Sequence, residues 1–439
     1  MEFQKHLRSR SFVRDVLGLG TDRILLSLIE CCRASTWVAT TGIFIIDSGK
    51  IPPMGSVRQA YIAGAYEHPT REAPDKTVQE LHADVARGAL ADAGLTKDDI
   101  DAYYTAGEPD NGPVLLADYM NLDVTTFGST EVGGSSYVSH VGHAVNAIRN
   151  GKCDVALVTL AGRPRSRSQD TGTGVHGFDN FRSHFTSTYG ETIIAKVAHD
   201  ARRHMHEYGT TSEQLAEIRE AAAHHAQYNE HAMYQDPVTV EDVVESRIIA
   251  DPVHMLDCCV ISDGGGAVVV VSEDVQSELD RDCAEITGYG EHIETSNAGY
   301  TDILTQGGVE SGEMAYEEAG VGPDDIDYAS IYDAFTFFVL RSIEDLGFAE
   351  PGEGGKFVEG GALKAPDGEL PYNTDGGSLC SNHPNRGGMT KIIEAVRQIR
   401  GEANEEVQVP DPEYTMAHGL GGGPGGHAAV TLIFGRADQ

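Results

Sequence analysis

The chain has 439 residues, enough for two or more domains and a large core, and its 51 glycines with sparse aromatics suit an α/β enzyme rich in tight loops. It carries 68 acidic against 32 basic residues, a net charge of -36. That excludes a nucleic-acid binder, because phosphate contact needs a basic face. The acids are spread along the chain, and only 9 of the basic residues are lysine. They read as a hydrated surface that salt keeps from repelling itself, and point to a halophilic source. Seven cysteines show no Cys-x-x-Cys spacing. No metal site is expected, and the thiols read as reduced, in a cytoplasmic protein. No apolar run reaches membrane-spanning length.

Residues 1–53 stand apart. They carry 7 basic and 5 acidic residues, leaving the other 386 with the whole negative charge, and they hold the sole Trp37 and the Cys31-Cys32 pair. Met54 is followed at once by a strand-like run at 57–66. The segment 1–53 is therefore expected to be a non-native or disordered extension, with Met54 as the native start.

A helix pattern follows at 78–93. It runs into Ala93-Gly-Leu-Thr-Lys-Asp-Asp-Ile-Asp101, which returns as Ala319-Gly-Val-Gly-Pro-Asp-Asp-Ile-Asp327. Each copy follows a helical stretch and precedes an apolar strand. The period is far too long for a solenoid and means two copies of one α/β half. A second correspondence agrees: Gly133-Gly-Ser-Ser opens a helix ending at Gly151, and Gly387-Gly-Met-Thr opens one ending at Gly401. The division expected is 54–285, an N-terminal half with an inserted loop region, and 286–439, a C-terminal half.

Ser135 and Ser136 sit at the start of the first of these helices, where free N–H groups and a partial positive charge would stabilise an oxygen nucleophile or an anion. His140 and His143 lie one turn further on and read as helix-surface or dimer-interface residues, no third ligand being in view. Tyr332-Asp333 end the second repeat's strand, at the edge that faces the ligand crevice in α/β sheets; either could position substrate or water. His383 stands before a proline between Gly376-Gly377 and Gly387-Gly388. His418 opens the run Gly419-Leu-Gly-Gly-Gly423. Histidines in glycine-rich loops offer a base near neutral pH beside backbone N–H donors for an oxyanion. Cys380 has no helix start to lower its pKa and reads as buried and inert. His427 reads as packing at a strand start.

These residues resemble the thiolase superfamily over roughly 57–436. Asn382-His383-Pro384 is similar to its Gly-His-Pro motif, Tyr332-Asp333-Ala334-Phe335 to its Asn-Glu-Ala-Phe, and Ser262-Asp263-Gly264-Gly265 to its Ser-Asp-Gly-Ala. The run 418–423 is similar to the closing Cys-x-Gly-Gly-Gly loop, with histidine in the cysteine's place. The resemblance implies a duplicated α/β fold, two halves forming a five-layer α-β-α-β-α sandwich. The nucleophilic cysteine of the family falls at 134–136, where this chain has serine, as haloarchaeal β-ketothiolase large subunits do. A tyrosine also replaces the asparagine at 332.

On that resemblance the expected enzyme is a β-ketothiolase (acetyl-CoA C-acyltransferase) working through a seryl acyl-enzyme. Ser135 or Ser136 would attack the thioester with His383 as base, which an alcohol needs at neutral pH. His418 would take the α-proton of a second acetyl-CoA. His383 and glycine N–H groups such as that of Gly421 would hold the enolate oxygen, each donor contributing about 3 kcal/mol. CoA thioesters would be substrates, with no bound cofactor. A small OB-fold partner subunit of the zinc-binding type is implied, with a homodimer of this chain inside a hetero-oligomer. It would make 3-ketoacyl-CoA for polyhydroxyalkanoate or isoprenoid synthesis or, in the reverse direction, thiolyse it in degradation. Two rivals stand beside this reading: a retro-aldolase on CoA thioesters using Tyr332 and Tyr372, and a non-catalytic CoA-binding scaffold.

Overall fold

The structure is a computed structural model. It describes residues 37–39, 42–44, 58–107, 109, 111–168, 188, 192–295, 303–305, 307–421 and 426–437. It divides into Met1–Val57 and Arg58–Gln439. In the first unit Trp37–Ala39 and Gly42–Phe44 pair as an antiparallel hairpin. The rest of the expected extension, and Met54 after it, lie outside the described residues.

The second unit is built on nine strands: β1 Ala60–Glu67, β2 Ala102–Thr105, β3 Thr126–Gly128, β4 Val155–Gly162, β5 Gly264–Ser272, β6 Ala284–Thr295, β7 Tyr328–Ile331, β8 Tyr414–Gly421 and β9 Gly426–Arg436. Their order is β7-β8-β9-β6-β1-β5-β4-β2-β3, so each half keeps its strands together. The halves meet where β6 runs antiparallel to β1, Ala284 opposite Ile62 and Glu285 opposite Tyr61. The helices that matter here are α1 Val78–Ala93, α2 Ser136–Arg149, α3 Ile193–Tyr208, α4 Ser212–Ala226, α5 Gly308–Ala319, α6 Thr336–Asp345 and α7 Gly388–Arg400.

Side-chain alternation along the strands assigns the layers. Tyr61, Ala63, Val269 and Val271 point to one face and pack with Val85 and Ala89 of α1. Ala60, Ile62, Val268 and Val270 point to the other, against Val138 and Val141 of α2 and Ile392 and Val396 of α7. Leu432 and Phe434 of β9 close the same cluster from the second half. On the far side of β8 and β9, Met416 and Ile433 pack with Ala315 and Tyr316 of α5. The order is thus helix, sheet, paired helices, sheet, helix: the five layers expected. Strands covered on both faces need apolar residues throughout, which is why β5 reads Ala-Val-Val-Val-Val.

The repeat motif has a residue-by-residue cause. Gly94 and Gly320 end α1 and α5 in the left-handed conformation, at φ 71° and 72°, where a glycine costs least. Asp99 and Asp325 each accept the N–H three residues back, Thr96 at 2.7 Å and Gly322 at 2.8 Å. Asp101 then accepts the N–H groups of Asp154 and Val155 at the start of β4. Asp327 does the same for Glu413 and Tyr414 at the start of β8. Each motif ties its own strand to the next parallel one.

The insert between β4 and β5 carries α3 and α4 and packs on the second half. Asn229 donates to Asp375 O at 2.9 Å, Tyr234 N to Cys380 O at 3.0 Å and Val260 N to Ser378 O at 2.9 Å. These bonds grip a π-helical turn, Gly377–Ser381, that delivers the chain to His383. Among the described residues no helix is long and apolar enough to cross a membrane.

Candidate active site

Two motifs far apart in sequence interlock around His383. Its backbone N–H donates to Ser262 Oγ at 2.8 Å, Ser262 donates to Asn382 Oδ1 at 2.8 Å, and Asn382 Nδ2 donates to Glu67 Oε1 at 2.7 Å. Glu67 in turn pairs with Arg71. Asp263 accepts Ala73 N at 2.9 Å and Ser166 N, which holds the start of β5 against the insert.

The ring of His383 lies between two side chains. Nε2 is 3.1 Å from the Tyr332 hydroxyl and Nδ1 is 3.6 Å from Cys259 Sγ. Burial pushes the imidazole pKa down to about 4, with Asp333 opposing and Lys391 adding to the shift, so the ring is neutral at pH 7. Burial likewise raises the Tyr332 phenol well above its ordinary value, aided by Cys259 and Asp333.

His418 is fully buried in β8, and burial pushes it down to about 3. Its tautomer follows from a chain of hydroxyls. Ser311 donates to Gly308 O, so its oxygen accepts from Thr431, 3.1 Å away. Thr431 Oγ1, its hydrogen spent, accepts from His418 Nδ1 at 2.9 Å. The lone pair is therefore on Nε2, a buried atom with no partner among the described residues. A buried polar atom without a partner needs a reason; a base awaiting a substrate proton is one.

Glycines let these groups converge. A side chain on Gly134 would collide with the Tyr332 ring and Leu420 O, and one on Gly387 would press on His383 and Ser378. One on Gly388 would strike Gly134 O, so the starts of α2 and α7 touch backbone to backbone. Gly419 lies against Ser135, its Cβ position 2.9 Å from Ser135 Cα, and Gly421 lies against Val132 O. Residues 422–425, the rest of that glycine run, and the side chain of His427 lie outside the described residues.

The two serines are beside this cluster but engaged elsewhere. Ser135 donates to Val132 O at 2.9 Å, and Ser136 donates to Gly133 O at 2.7 Å while accepting Val132 N at 3.0 Å. Each hydroxyl hydrogen is thus committed to a backbone carbonyl and not to a histidine. Asp333 is fully buried. It accepts Ser378 N at 2.9 Å and Leu379 N at 3.2 Å, and its Oδ1 lies 2.8 Å from Lys391 Nζ, close as an ion pair although off the angle of a hydrogen bond. Burial works against that carboxylate, yet Lys391 and the two N–H groups hold its pKa below the usual range. Asp333 therefore anchors the turn before His383. Tyr372 is buried too, donating to Ile218 O at 2.6 Å, a packing role. Cys380 is buried with its thiol pushed up to about 11, the inert state expected.

His140 departs from the sequence reading. It is not on the helix surface: it is fully buried, accepts Thr130 N at 2.8 Å and is pushed by burial down to about 3. The chain before α2 folds back over that face of the helix. His143 alone reaches solvent, 3.7 Å from Glu291. Sequence reasoning missed Cys259, which comes beside His383 only in the folded chain. Among the described residues one trio, His292, Glu294 and Glu310, brings potential ligand atoms within 4.8 Å of one another.

Two neutral histidines beside glycine-rich turns are an arrangement that can do acid–base chemistry. Comparison with known proteins agrees. Residues 290–436 match the Thiolase C-terminal domain-like family. The chain is 35% identical over 339 residues to a steroid side-chain-cleaving aldolase of Thermomonospora curvata, covering 73% of this chain and 85% of that protein. It is 31% identical over 387 residues to an acetyl-CoA acetyltransferase of Methanothermobacter thermautotrophicus, covering 86% and 100%. Among solved structures, the Ltp2-ChsH2(DUF35) aldolase superposes with a TM-score of 0.76 at 32% identity, over 86% of this chain and 98% of that one. The chain belongs to the thiolase superfamily and is an enzyme of it.

Proposed function

We propose that the protein makes or breaks a carbon–carbon bond between C2 and C3 of a CoA thioester by aldol chemistry. The observation that carries this is the Tyr332–His383 contact at 3.1 Å, beside serines whose hydroxyl hydrogens are bound to backbone carbonyls. In the bond-forming direction His418 Nε2 takes a proton from C2, the C2 carbanion attacks the carbonyl carbon of the second substrate, and Tyr332 gives its proton to the resulting alkoxide. The proton on His418 returns to Tyr332 through solvent. Cleavage is the reverse: the Tyr332 proton first passes to His418 through solvent, the Tyr332 oxygen then takes the 3-hydroxyl proton, C2–C3 breaks with its electron pair on C2, C3 becomes a carbonyl, and His418 returns its proton to C2. A phenol raised by burial is closer in pKa to an aliphatic alcohol, which makes this exchange less uphill.

A second reading keeps a seryl acyl-enzyme: Ser135 or Ser136 attacks the thioester with His383 as base, Gly421 N–H helps position the substrate, and 3-ketoacyl-CoA is made or thiolysed, with polyhydroxyalkanoate synthesis as one outlet. Ser135 at the start of α2, against Gly419, favours it, as does the likeness to an acetyl-CoA acetyltransferase. For either reading a small partner subunit within a hetero-oligomer is supported by the likeness to an aldolase solved with a ChsH2(DUF35) component. The test is a pair of assays at high salt with the partner co-expressed: cleavage of a 3-hydroxyacyl-CoA, and thiolysis of acetoacetyl-CoA. Tyr332→Phe is expected to lower cleavage by about 10^2- to 10^4-fold, and Ser135→Ala with Ser136→Ala to leave it within a few-fold. Thiolysis lost in the serine variants and retained in Tyr332→Phe would replace the first reading with the second.

A further inference from the structure

We propose that the arginine turn at 163–167 is the subsite for the phosphates of the CoA carrier, with Arg165 and Arg167 as the groups that meet them. This rests on CoA thioesters being the substrates, which both readings of the reaction share.

Arg163-Pro-Arg-Ser-Arg167 places three arginines in five residues, and no other five-residue stretch of the chain holds three Lys or Arg. It does so in a chain with 68 acidic against 32 basic residues, whose overall field repels a polyphosphate. A carrier that bears a pyrophosphate and a 3′-phosphate therefore needs cations close to where it binds. Arginine suits that task, because its planar guanidinium meets two phosphate oxygens at once.

The turn also stands at the site. Arg163 follows Gly162, the last residue of β4, and ligands of α/β sheets bind beyond the carboxyl ends of the strands. A side chain on Gly162 would strike Pro384 O, so the chain leaves β4 against the residue next to His383. Asp263 fixes the turn there, accepting Ser166 N at 3.1 Å, the Ser166 hydroxyl and Ala73 N at 2.9 Å. Its neighbour Ser262 accepts the backbone N–H of His383 at 2.8 Å. Arg163 donates to Pro74 O at 3.0 Å, and Arg167 N closes the turn on Arg163 O at 3.1 Å. Arg165 and Arg167 flank the anchored Ser166, and both are exposed. Arg165 reaches Glu72 at 3.4 Å, with the two side chains 41% and 62% exposed. Such a pair contributes little and gives way to a phosphate. The backbone of the turn is thus fixed relative to His383, while its arginine heads stand at the rim, where the pantetheine arm would leave the thioester behind by the histidines.

The test is calorimetric titration of the full chain, prepared with the partner co-expressed as for the assays, with CoA and with pantetheine, which has the same thiol arm and no phosphate. The wild type is expected to bind CoA more tightly than pantetheine, by a margin that narrows as salt rises. Arg165→Gln with Arg167→Gln should weaken CoA about 10- to 100-fold, leave pantetheine within about twofold and keep the thermal midpoint. In turnover, KM for a CoA thioester should rise while kcat at saturation holds. Lysine at both positions keeps the charge without the fork and should recover part of the affinity. Equal CoA affinity in the double glutamine variant and the wild type, an equal loss for CoA and pantetheine, or a wild type that binds the two ligands alike would each overturn the proposal. Binding is read without turnover, so these outcomes are separate from those of Tyr332→Phe and the serine variants. A protein that binds neither ligand would overturn the proposal together with CoA thioesters as the substrates.

Discussion

At the scale of single residues, the two histidines are tuned by different means. His383 has a hydrogen-bonding neighbour at each ring nitrogen. His418 takes it from a file of hydroxyls, Thr431 and Ser311, that ends on Gly308 O. Thr431→Val keeps the shape and removes the acceptor for His418 Nδ1. A buried donor left without a partner costs about 1–3 kcal/mol, so the thermal midpoint should fall. The ring would also be released from the tautomer that leaves Nε2 bare, so kcat should fall while KM holds. Thr431→Ser restores the acceptor and should recover both. Equal kcat in Thr431→Val and the wild type would show that the tautomer of His418 does not matter to the reaction. Both histidines were legible in the sequence because glycines crowd them. Cys259 was not, since the pair Cys258-Cys259 has no spacing of its own; its meaning comes from a fold that brings residue 383 beside it.

At the scale of elements, the seating of the turn into α2 against Tyr332 and β8 depends on Gly134. Its Cβ position is filled by the Tyr332 ring and Leu420 O. Gly134→Ala must move one of them, at a cost of about 1–3 kcal/mol for an overpacked site, and the movable one is Tyr332. The expected outcome is a large loss of kcat with a modest loss of stability. Gly151 is the control: at φ 62° with open space around it, alanine there costs about 1–2 kcal/mol of backbone strain and should leave kcat unchanged. Parallel loss of activity in both variants would place the effect in global stability. The repeat at 93–101 and 319–327 could be read from sequence because its shared residues have local tasks: a left-handed glycine cap, an Asp that closes the turn and an Asp that bonds two adjacent N–H groups. The grip of the insert on 377–381 could not. It joins segments some 150 residues apart through main-chain bonds such as Tyr234 N to Cys380 O, which leave no pattern in side-chain types. The reading of His140 as exposed failed for a related reason: helical spacing gives a residue's neighbours on its own helix, not the chain that folds over it.

At the scale of the whole molecule, charge and burial set opposite dependences on solution conditions. The net charge of -36 means self-repulsion that added salt screens, so stability should rise steeply from low salt to molar salt. Buried neutral groups are not screened in this way. His140, His225 and His418 are pushed down to about 3 and His383 to about 4, burial being the main cause in each. Each has an unfolded value near 6.5, so between 6.5 and its folded value the unfolded chain binds the proton and the folded one does not. Stability is present above 6.5 and is lost as pH falls. Asp375 works the other way, since burial raises it to about 7, and its contribution grows as pH falls through 7. These four against Asp375 leave a net of three protons, about 4 kcal/mol per pH unit at full effect, and His68 and His224, also lowered by burial, add in the same sense. Carboxylates of ordinary pKa stay ionised above about pH 5, so the interval from 6.5 to 5 isolates these buried groups. Denaturant unfolding at fixed molar salt should show stability falling across that interval, with His225→Gln reducing the slope by about one proton and leaving the site untouched. A flat profile in molar salt would mean that the buried rings are charged in the fold, and with them His383 and His418, which would remove the neutral bases the mechanism requires.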